Sequence, residues 1–573
     1  AVMIVLKWYR IQDLPIHWSY RIKRDEIALV TDYNINDVLG TDALVKNQQK
    51  ELDLRAKLSE MYAIDLRNMS RSSIGKNLMT KFYSEWSGMP SYEFVDLRTE
   101  RSAVPIGKVV KDSIQFKTPF YRKILESIQR YSIYIGLGSP KQSELKRESI
   151  ANGIVVTTWR KSFQSLEFLS HDKGYTMAKG GLHSKDDPRV IWAESGEILA
   201  DPDVNSMYPS FIVNYGVSPH HLSSKVFLGI VEWLRTTRLD AKHNGRKLEA
   251  DALKIVINRI YGALNDAMDY LYDPECTYTV TINLQLLLCN LIESFELNGF
   301  DVLSANTDGL LIRRPNDRLD LFNHICKEWE DYSKLSLDTE VFEKYCRSAV
   351  NDYIAVGYGF YDALQEYNRC GVWIDSKGNT YTTCQAIEDK FIKFKGYFLQ
   401  DPEYNKGFVY PVVKKALKEY FLYGVDITEF IKNYINTSRT AIYDYCFSQK
   451  VAGKYTTIYK TVRDGKPVYI KCQKHNRFYI CKSGGGAITK AIVPDSDNIA
   501  YGDDISGIVV EEEKSLVAGQ RVALFNDYEY KEDYNLNYGF YINEAYKILY
   551  GNGKTGKGER RGINNNSNNL FGW

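Results

Sequence analysis

The stretch Asp203-Val204-Asn205-Ser206-Met207-Tyr208-Pro209-Ser210 constrains this chain more than any other, because a strand pattern ends there at a carboxylate. The apolar residues 196–200 predict a strand before it. Pro209 can open a helix after it, since its missing N–H falls among the first-turn donors that lack a helical partner. An Asp at a strand end is commonly a turn former, so this stretch alone does not identify a site.

A second segment, Lys254–Gly262, predicts a helix with a polar stripe. Lys254, Asn258 and Tyr261 follow one another at i, i+4 and i+7, so they share one face of a helix. Positions 255, 256 and 260 are apolar and lie elsewhere on that helix. A cation, an amide and a phenol on one face can bind a ligand that carries both a phosphate and a base.

A third segment, Ser304–Gly309, predicts a β-hairpin with a second carboxylate, Asp308, at its tip. Apolar runs precede and follow it at 302–303 and 310–312. Asp-Gly between such runs is a strong turn signal. The hairpin is therefore expected whether or not the carboxylate binds a ligand.

In this order, the three segments resemble motifs A, B and C of family B DNA polymerases, usually written DxxSLYPS, KxxxNxxYG and YxDTD. The resemblance covers residues 150–400 well and the rest more loosely. It implies an α/β (α+β) fold with a palm, short helical fingers and a thumb. It also implies a template-directed DNA polymerase that adds dNMPs to a primer 3′-OH and releases pyrophosphate. The third motif is most similar to that of phage-encoded members, which implies phage DNA replication in the host cytoplasm.

The resemblance also implies a role for each motif position. Asp203 and Asp308, with the Val204 carbonyl, would hold two Mg²⁺ ions, for which Mn²⁺ can substitute. Lys254 would bind the triphosphate and protonate the leaving group. The other dNTP contacts would come from Ser206, Met207, Tyr208, Arg238, Lys242 and Asn258, with the Tyr208 ring excluding a ribose 2′-hydroxyl. Primer–template contacts would come from Tyr261, Gly262, Thr307, Tyr353, Lys393 and Lys395.

Two positions depart from the family pattern. Asn306 replaces the first Asp of DTD and so removes one negative charge, whereas Asp308 keeps the position that bridges the metal ions. Asn351 replaces the lysine of the family's KxY motif, which leaves Tyr353 as the expected primer contact.

A cationic stripe precedes the second motif. Arg235, Arg238 and Lys242 follow at i, i+3 and i+7. Such a stripe is commonly a solvated helix face, but a facing helix that carries Lys254 favours a positive cradle for a triphosphate. The intervals between the motifs leave no room for the insertions that hold a terminal protein in protein-primed relatives. We therefore expect priming from a nucleic-acid 3′ end.

The predicted domains follow from the order of these motifs. They are an exonuclease-like remnant and linker at 1–150, palm at 151–225 and 266–385, fingers at 226–265, thumb and C-terminal subdomain at 386–550, and a flexible basic tail at 551–573.

The remnant rests on Tyr33 and Asp37, which resemble a YxxxD exonuclease motif; a polar helix face is the alternative. No DxE or NxxxYD motif precedes Tyr33, so we expect no 3′–5′ exonuclease activity. The expected partners are primer–template DNA, dNTPs and other replication proteins. A catalytically silent DNA-binding scaffold is the alternative function, although the retained Asp203, Asp308 and Lys254 argue against it. An RNA-templated or primase-like polymerase would lack the KxxxNxxYG helix.

Composition sets broad limits. The 573 residues are 44% hydrophobic and 25% charged, as in ordinary globular proteins, and the net charge of +2 requires any basic surface to be local. Nine cysteines without a CxxC pair argue against a disulfide framework and against a four-cysteine zinc site. Gln285 and Asn290 interrupt the longest apolar stretch, which we expect to be too short to span a bilayer. No signal peptide is visible, so we expect the cytoplasm.

Overall fold

The computed structural model describes residues 2–16, 21–151, 153–186, 188–349, 351–398, 410–451, 453–496 and 499–550. Within these ranges, helices α1 to α16 span Val2–Val5, Ile27–Asn47, Gln49–Tyr62, Arg71–Ser87, Ile106–Val109, Pro119–Gln129, Met207–Asn214, Ser224–His243, Lys247–Leu264, Pro274–Leu297, Leu319–Ser333, Phe360–Cys370, Cys384–Phe391, Pro411–Tyr423, Ile427–Asn433 and Tyr538–Tyr550. The predicted tail at 551–573 lies outside the described residues.

The strands found in the same ranges are numbered β1 to β23. They span Ala103–Pro105, Ser132–Tyr134, Lys146–Ala151, Ile154–Trp159, Ser162–Ser170, Lys173–Ala178, Leu182–Lys185, Arg189–Trp192, Glu197–Val204, Asp301–Asn306, Gly309–Pro315, Leu337–Ala349, Asp352–Gly357, Trp373–Ile374, Thr380–Tyr381, Ile392–Lys395, Phe447–Lys450, Thr456–Arg463, Lys466–Cys472, His475–Cys481, Ala487–Ile492, Glu511–Ser515 and Arg521–Leu524. Helices and strands thus alternate along the chain, and the mixed α/β class predicted from the sequence is confirmed.

The chain divides into two compact units. One comprises Glu51–Lys393, and the other combines residues 1–50 with the described residues from Phe394 onward. The predicted segment 1–150 is therefore shared between both units. The first fifty residues group with the C-terminal part because their backbone bonds to it, as in the hydrogen bond from Ile11 N–H to the Asn526 carbonyl (2.8 Å).

A large sheet forms the centre of the first unit. Its main strand order is β1-β2-β5-β6-β7-β10-β11-β9-β12-β13-β16. Strands β9, β10 and β11, which come from the first and third motifs, lie side by side in its middle and pair antiparallel. Motifs that are far apart in sequence therefore meet on adjacent strands.

Helix α10 is the central helix of this unit, and its apolar side chains are almost all buried. It is the one described helix long and apolar enough to cross a membrane, and 83% of its most apolar window is buried inside the protein. The apolar stretch predicted from the sequence lies within this helix, which Thr and Cys residues extend on the N-terminal side of Leu284.

Buried polar side chains of α10 bind backbone groups of the elements around it. Asn283 Nδ2 donates to the Val109 carbonyl, and its Oδ1 accepts from Lys111 N–H (2.7 Å each). Gln285 Nε2 donates to the Ala178 carbonyl at 2.9 Å. These bonds satisfy polar atoms that would otherwise be costly to bury. They explain why an apolar helix carries amides at these positions.

The second unit contains two smaller sheets, ordered β17-β20-β23 and β19-β18-β21-β22, together with helices α1, α2 and α14 to α16. A fully buried Arg477 joins its segments, because its guanidinium donates to the carbonyls of Trp8 (2.7 Å) and Phe525 (2.7 Å). All nine cysteines are free thiols, as expected from their spacing.

Candidate active site

The two predicted carboxylates are brought together by strand pairing. Asp203 lies on β9 opposite Gly309, the residue that follows Asp308. The Val204 N–H donates to the Asp308 carbonyl at 2.8 Å. Residues 306–309 form the predicted hairpin turn, with Thr307 at a left-handed φ of 56° and its N–H bonded to the Leu182 carbonyl (2.8 Å). Strand β9 and the hairpin therefore present both aspartates at one place.

Gly309 is required at this junction for a steric reason. A Cβ added there would lie 3.0 Å from Asp203 Oδ1, 3.3 Å from the Pro202 carbonyl and 3.4 Å from Asp203 Cα. Its φ is not left-handed, so the turn does not need glycine at this residue. The Asp-Gly pair, interpreted from the sequence as a turn signal, thus also lets the two aspartate-bearing strands approach closely.

Two further carboxylates lie beside this pair, and sequence reasoning missed them. Asp201 precedes Asp203 by two residues on β9 and so shares its face of the sheet, and Glu340 on β12 lies opposite Asp201. Burial, together with Asp203, Glu340 and Asp308, raises the pKa of Asp201 to about 7, against the opposing effect of Lys393. Asp-x-Asp within a strand pattern was a usable signal for Asp201, whereas Glu340 required the register of β12.

The first and second motifs meet through two stacked rings. Tyr208 on α7 and Tyr261 on α9 have ring centroids 4.0 Å apart, with an interplanar angle of 12°. Burial, and then Asp308, raise the pKa of Tyr208. Tyr208 therefore lies between α9 and the hairpin carboxylate Asp308.

The N-terminus of α7 lies next to Asp203, and its first-turn N–H groups are the donors that helices use to bind phosphate. Ser206 precedes the helix with a left-handed φ of 48°, and its Oγ accepts from Arg238 Nη1 at 3.2 Å. The Met207 side chain is buried, so only its backbone can contact a nucleotide. Arg235 binds Glu232 and Ser210 Oγ. Arg238, through Ser206, instead contacts the end of α7 that lies next to Asp203.

Helices α8 and α9 carry the remaining predicted nucleotide contacts. Lys242, Lys254, Asn258 and Gly262 are exposed. Lys242 and Lys254 form no ion pair with any residue that the structure describes, which leaves both cations available to an anionic ligand. Tyr261, which stacks on Tyr208, lies about two turns beyond Lys254 on α9.

Three of the predicted primer–template contacts, Tyr353, Lys393 and Lys395, lie on strands β13 and β16. Lys393 Nζ binds Glu340 (2.7 Å) and lies 3.9 Å from Asp201, so it is the cation next to the two additional acids. Tyr353 is buried and stacks on Tyr345 (4.8 Å), close to the same acids. Lys395 ends β16, the strand that contains Lys393.

The two residues that depart from the family pattern contact each other. Asn306 Nδ2 donates to Asn351 Oδ1 at 3.2 Å. Each of these two neutral residues thus has the other as its hydrogen-bond partner.

Tyr33 and Asp37 both lie on α2, in the second unit. Burial, and then Asp37 and Asp13, raise the pKa of Tyr33. Tyr33 lines a cavity of about 600 Å³ together with Asp13, Lys474 and His475. Asp37 is exposed on the helix.

His220, Asp273 and Cys276 are the one group of three metal-ligand side chains among the described residues whose ligand atoms all lie within 4.8 Å of one another. Their atoms are already engaged: Asp273 accepts from the N–H groups of His220 and Glu275, and Cys276 donates to the Ser218 carbonyl. Burial raises the pKa of Cys276 well above its usual range, whereas a metal binds the thiolate. We interpret this group as the N-terminal cap of α10.

Comparisons with known proteins agree with the motifs. No family model matches the chain. It is 27% identical to a DNA polymerase of Thermococcus gorgonarius, in a region covering 27% of this chain and 24% of that protein. It is 26% identical to DNA polymerase II of Escherichia coli (strain K12), over 19% of this chain and 17% of that one. The chain is a relative of DNA polymerases.

The family B DNA polymerase of the hyperthermophilic archaeon Pyrobaculum calidifontis aligns with 93% of this chain and 57% of its own, at 12% identity and a TM-score of 0.36. The regions matched in the two sequence relatives amount to about a quarter or less of those proteins. The activity, substrates and partners of the whole protein are therefore proposals.

Proposed function

We propose that this chain is a template-directed DNA polymerase that extends a primer 3′-OH with dNMPs and releases pyrophosphate. The observation that carries the proposal is the junction of all three motifs: Asp203 beside Asp308, with Tyr208 stacked on Tyr261 next to them. Segments 151–225 and 266–385 would serve as palm, 226–265 as fingers and 386–550 as thumb. The similarity of the third motif to phage-encoded members supports a role in phage DNA replication.

The carboxylates fit a pair of divalent cations. Mg²⁺ prefers carboxylate oxygens and accepts few protein ligands beside water and phosphate. Burial first, and then the neighbouring Asp203, Glu340 and Asp308, raise the pKa of Asp201; the grouped acids are negative charge that a cation would neutralise. Asp203, Asp308 and the Val204 carbonyl would hold the ions. When bound, such ions activate the primer hydroxyl and stabilise charge on the leaving pyrophosphate.

The protein's own groups would position the nucleotide. Arg238 and Lys254 would neutralise the triphosphate, and the first-turn N–H groups of α7 would bind its oxygens. The Tyr208 ring, held by Tyr261, would lie under the sugar and exclude a 2′-hydroxyl. Phosphoryl transfer needs positioning and charge neutralisation more than covalent help, which is what these groups supply.

The test is extension of a 5′-labelled DNA primer on a longer template, with Mg²⁺ and four dNTPs. We expect extension by the wild type, loss in Asp308→Ala, and retention in Asp331→Ala, whose carboxylate pairs with Lys327 on the surface. If the wild type binds primer–template but does not extend it, the DNA-binding scaffold becomes the better function. In the same gel, 3′ shortening that Asp37→Ala abolishes would refute the expected lack of exonuclease activity.

A further inference from the structure

A β-bulge interrupts the catalytic hairpin three residues before its turn. Val302 pairs with Ile312 and Ser304 with Leu311, so Leu303 has no partner on β11. A bulge removes a backbone group from the ladder and bends the strand. Since the Leu303 side chain is buried, its carbonyl needs a hydrogen-bond donor from elsewhere.

Three cationic side chains supply those donors. Lys173 Nζ donates to the Leu303 carbonyl at 2.6 Å, Arg189 Nη2 at 3.1 Å and Arg347 Nη2 at 3.2 Å. They come from strands β6, β8 and β12. Bonds from charged donors are stronger than neutral ones, so one carbonyl of β10 is tied firmly to three other strands.

The same cluster also fixes a second backbone group of β10, the N–H of Ala305. Arg347 binds Asp186 at 2.5 Å, with both side chains at most 3% exposed. Asp186 accepts from the Ser184 hydroxyl, whose oxygen accepts from the Ala305 N–H at 3.0 Å. Leu303 and Ala305 are therefore both fixed by side chains, immediately before the turn that carries Asp308.

The cluster concentrates positive charge at the bulge. Burial, and then the neighbouring Arg189 and Arg347, lower the pKa of Lys173 to about 8, against the opposing effect of Asp186 and Asp301. A charge arrangement of this kind costs free energy, because buried cations must give up hydration. Because the cluster lies beside the hairpin that carries Asp308, we look for its role in the geometry of that hairpin rather than in stability.

We propose that Lys173, Arg189 and Arg347 are positioning residues, which hold the bulged strand so that Asp308 meets Asp203 in the geometry that binds divalent cations. The inference rests on the proposed function. None of the three residues is proposed to touch the substrate or the ions. They act through the backbone of β10.

The test compares Lys173→Met with Lys185→Met. Both remove a lysine head group from adjacent strands of the sheet, but the Lys185 ammonium pairs with Glu167 (2.5 Å), whereas that of Lys173 donates to the Leu303 carbonyl of β10. We expect Lys173→Met to raise the Mg²⁺ concentration for half-maximal primer extension about tenfold, the usual effect of losing a group that orients metal ligands. We expect Lys185→Met to match the wild type.

A second readout does not depend on activity. Mn²⁺ binding, followed by the electron paramagnetic resonance signal of the free ion, should weaken by the same factor in Lys173→Met. The Kd for primer–template and the melting temperature show whether the protein remains folded and binds DNA. If the Lys173→Met variant unfolds, the Arg189→Met variant takes its place in both assays, because Arg189 is only partly buried. Arg189→Lys is then expected to restore cation binding in part.

Unchanged Mg²⁺ and Mn²⁺ affinity in both Lys173→Met and Arg189→Met would overturn the inference, as would an equal loss in Lys185→Met. These outcomes differ from failure of the proposed function, in which the wild type binds primer–template but does not extend it.

Discussion

Replacing Gly309 by Ala tests the close contact between the two catalytic strands. The new Cβ would lie 3.0 Å from Asp203 Oδ1, whereas ordinary contact begins at 3.4 Å, so the carboxylate must move by about the difference of 0.4 Å. The Pro202 carbonyl at 3.3 Å and Asp203 Cα at 3.4 Å prevent the methyl group from moving away instead. The displacement therefore falls on the residue that is expected to bind the cations.

The size of the effect follows from this displacement. Misplacing a reacting group by about 1 Å can cost about 100-fold in rate, so 0.4 Å corresponds to a loss of about tenfold in kcat. Overpacking costs about 1–3 kcal/mol, so a small fall in melting temperature is also expected. The backbone itself can accept alanine, because φ of Gly309 is not left-handed.

The assay is single-turnover primer extension by rapid quench, with primer–template Kd from fluorescence anisotropy. Gly180→Ala is the matched control, because a Cβ there meets nothing within 4 Å and the residue lies near the same turn. We expect a slower extension rate with unchanged DNA affinity in Gly309→Ala alone. A wild-type rate in Gly309→Ala, or an equal loss in Gly180→Ala, would refute the steric argument.

Two further predictions concern neighbouring groups. Tyr208→Val should raise ribonucleotide incorporation relative to deoxyribonucleotide by at least about tenfold, since one lost steric contact changes discrimination by that order; an unchanged sugar preference in single-nucleotide extension contradicts this. Asp201 binds its proton more tightly when folded, with its pKa raised from 3.8 to about 7, so stability is highest at low pH and falls as pH rises through that window. Without divalent cations, urea unfolding should therefore show the wild type losing stability relative to Asp201→Asn between about pH 4 and 7, and a constant difference across that range would count against the raised pKa.

Local patterns were enough to predict the parts of the site that depend on one segment. The strand before Asp203, the helix face of Lys254 and Asn258, and the hairpin at Asp308 each follow from periodicity and turn chemistry within a few residues. The order of these segments then indicated the family. The stacking of Tyr208 on Tyr261 agrees with the shared pocket that the motifs implied.

Features that depend on strand register could not be predicted in this way. Glu340 reaches Asp201 only through the pairing of β12 with β9, and the same pairing gives Lys393 an acidic partner. The three cationic donors to the Leu303 carbonyl require a β-bulge, and the sequence does not show where that bulge lies. The division of residues 1–150 between two units likewise depends on contacts across most of the chain.

The contacts of the first residues have a consequence for how this chain is synthesised. Trp8, Tyr9 and Ile11 bond to Arg477, Tyr528 and Asn526, so their partners are synthesised long after them. The unit that contains them cannot close before both of its segments have been synthesised, whereas Glu51–Lys393 can fold as soon as it emerges. The N-terminal segment must therefore wait, exposed to proteases and chaperones, until synthesis of its partner is complete.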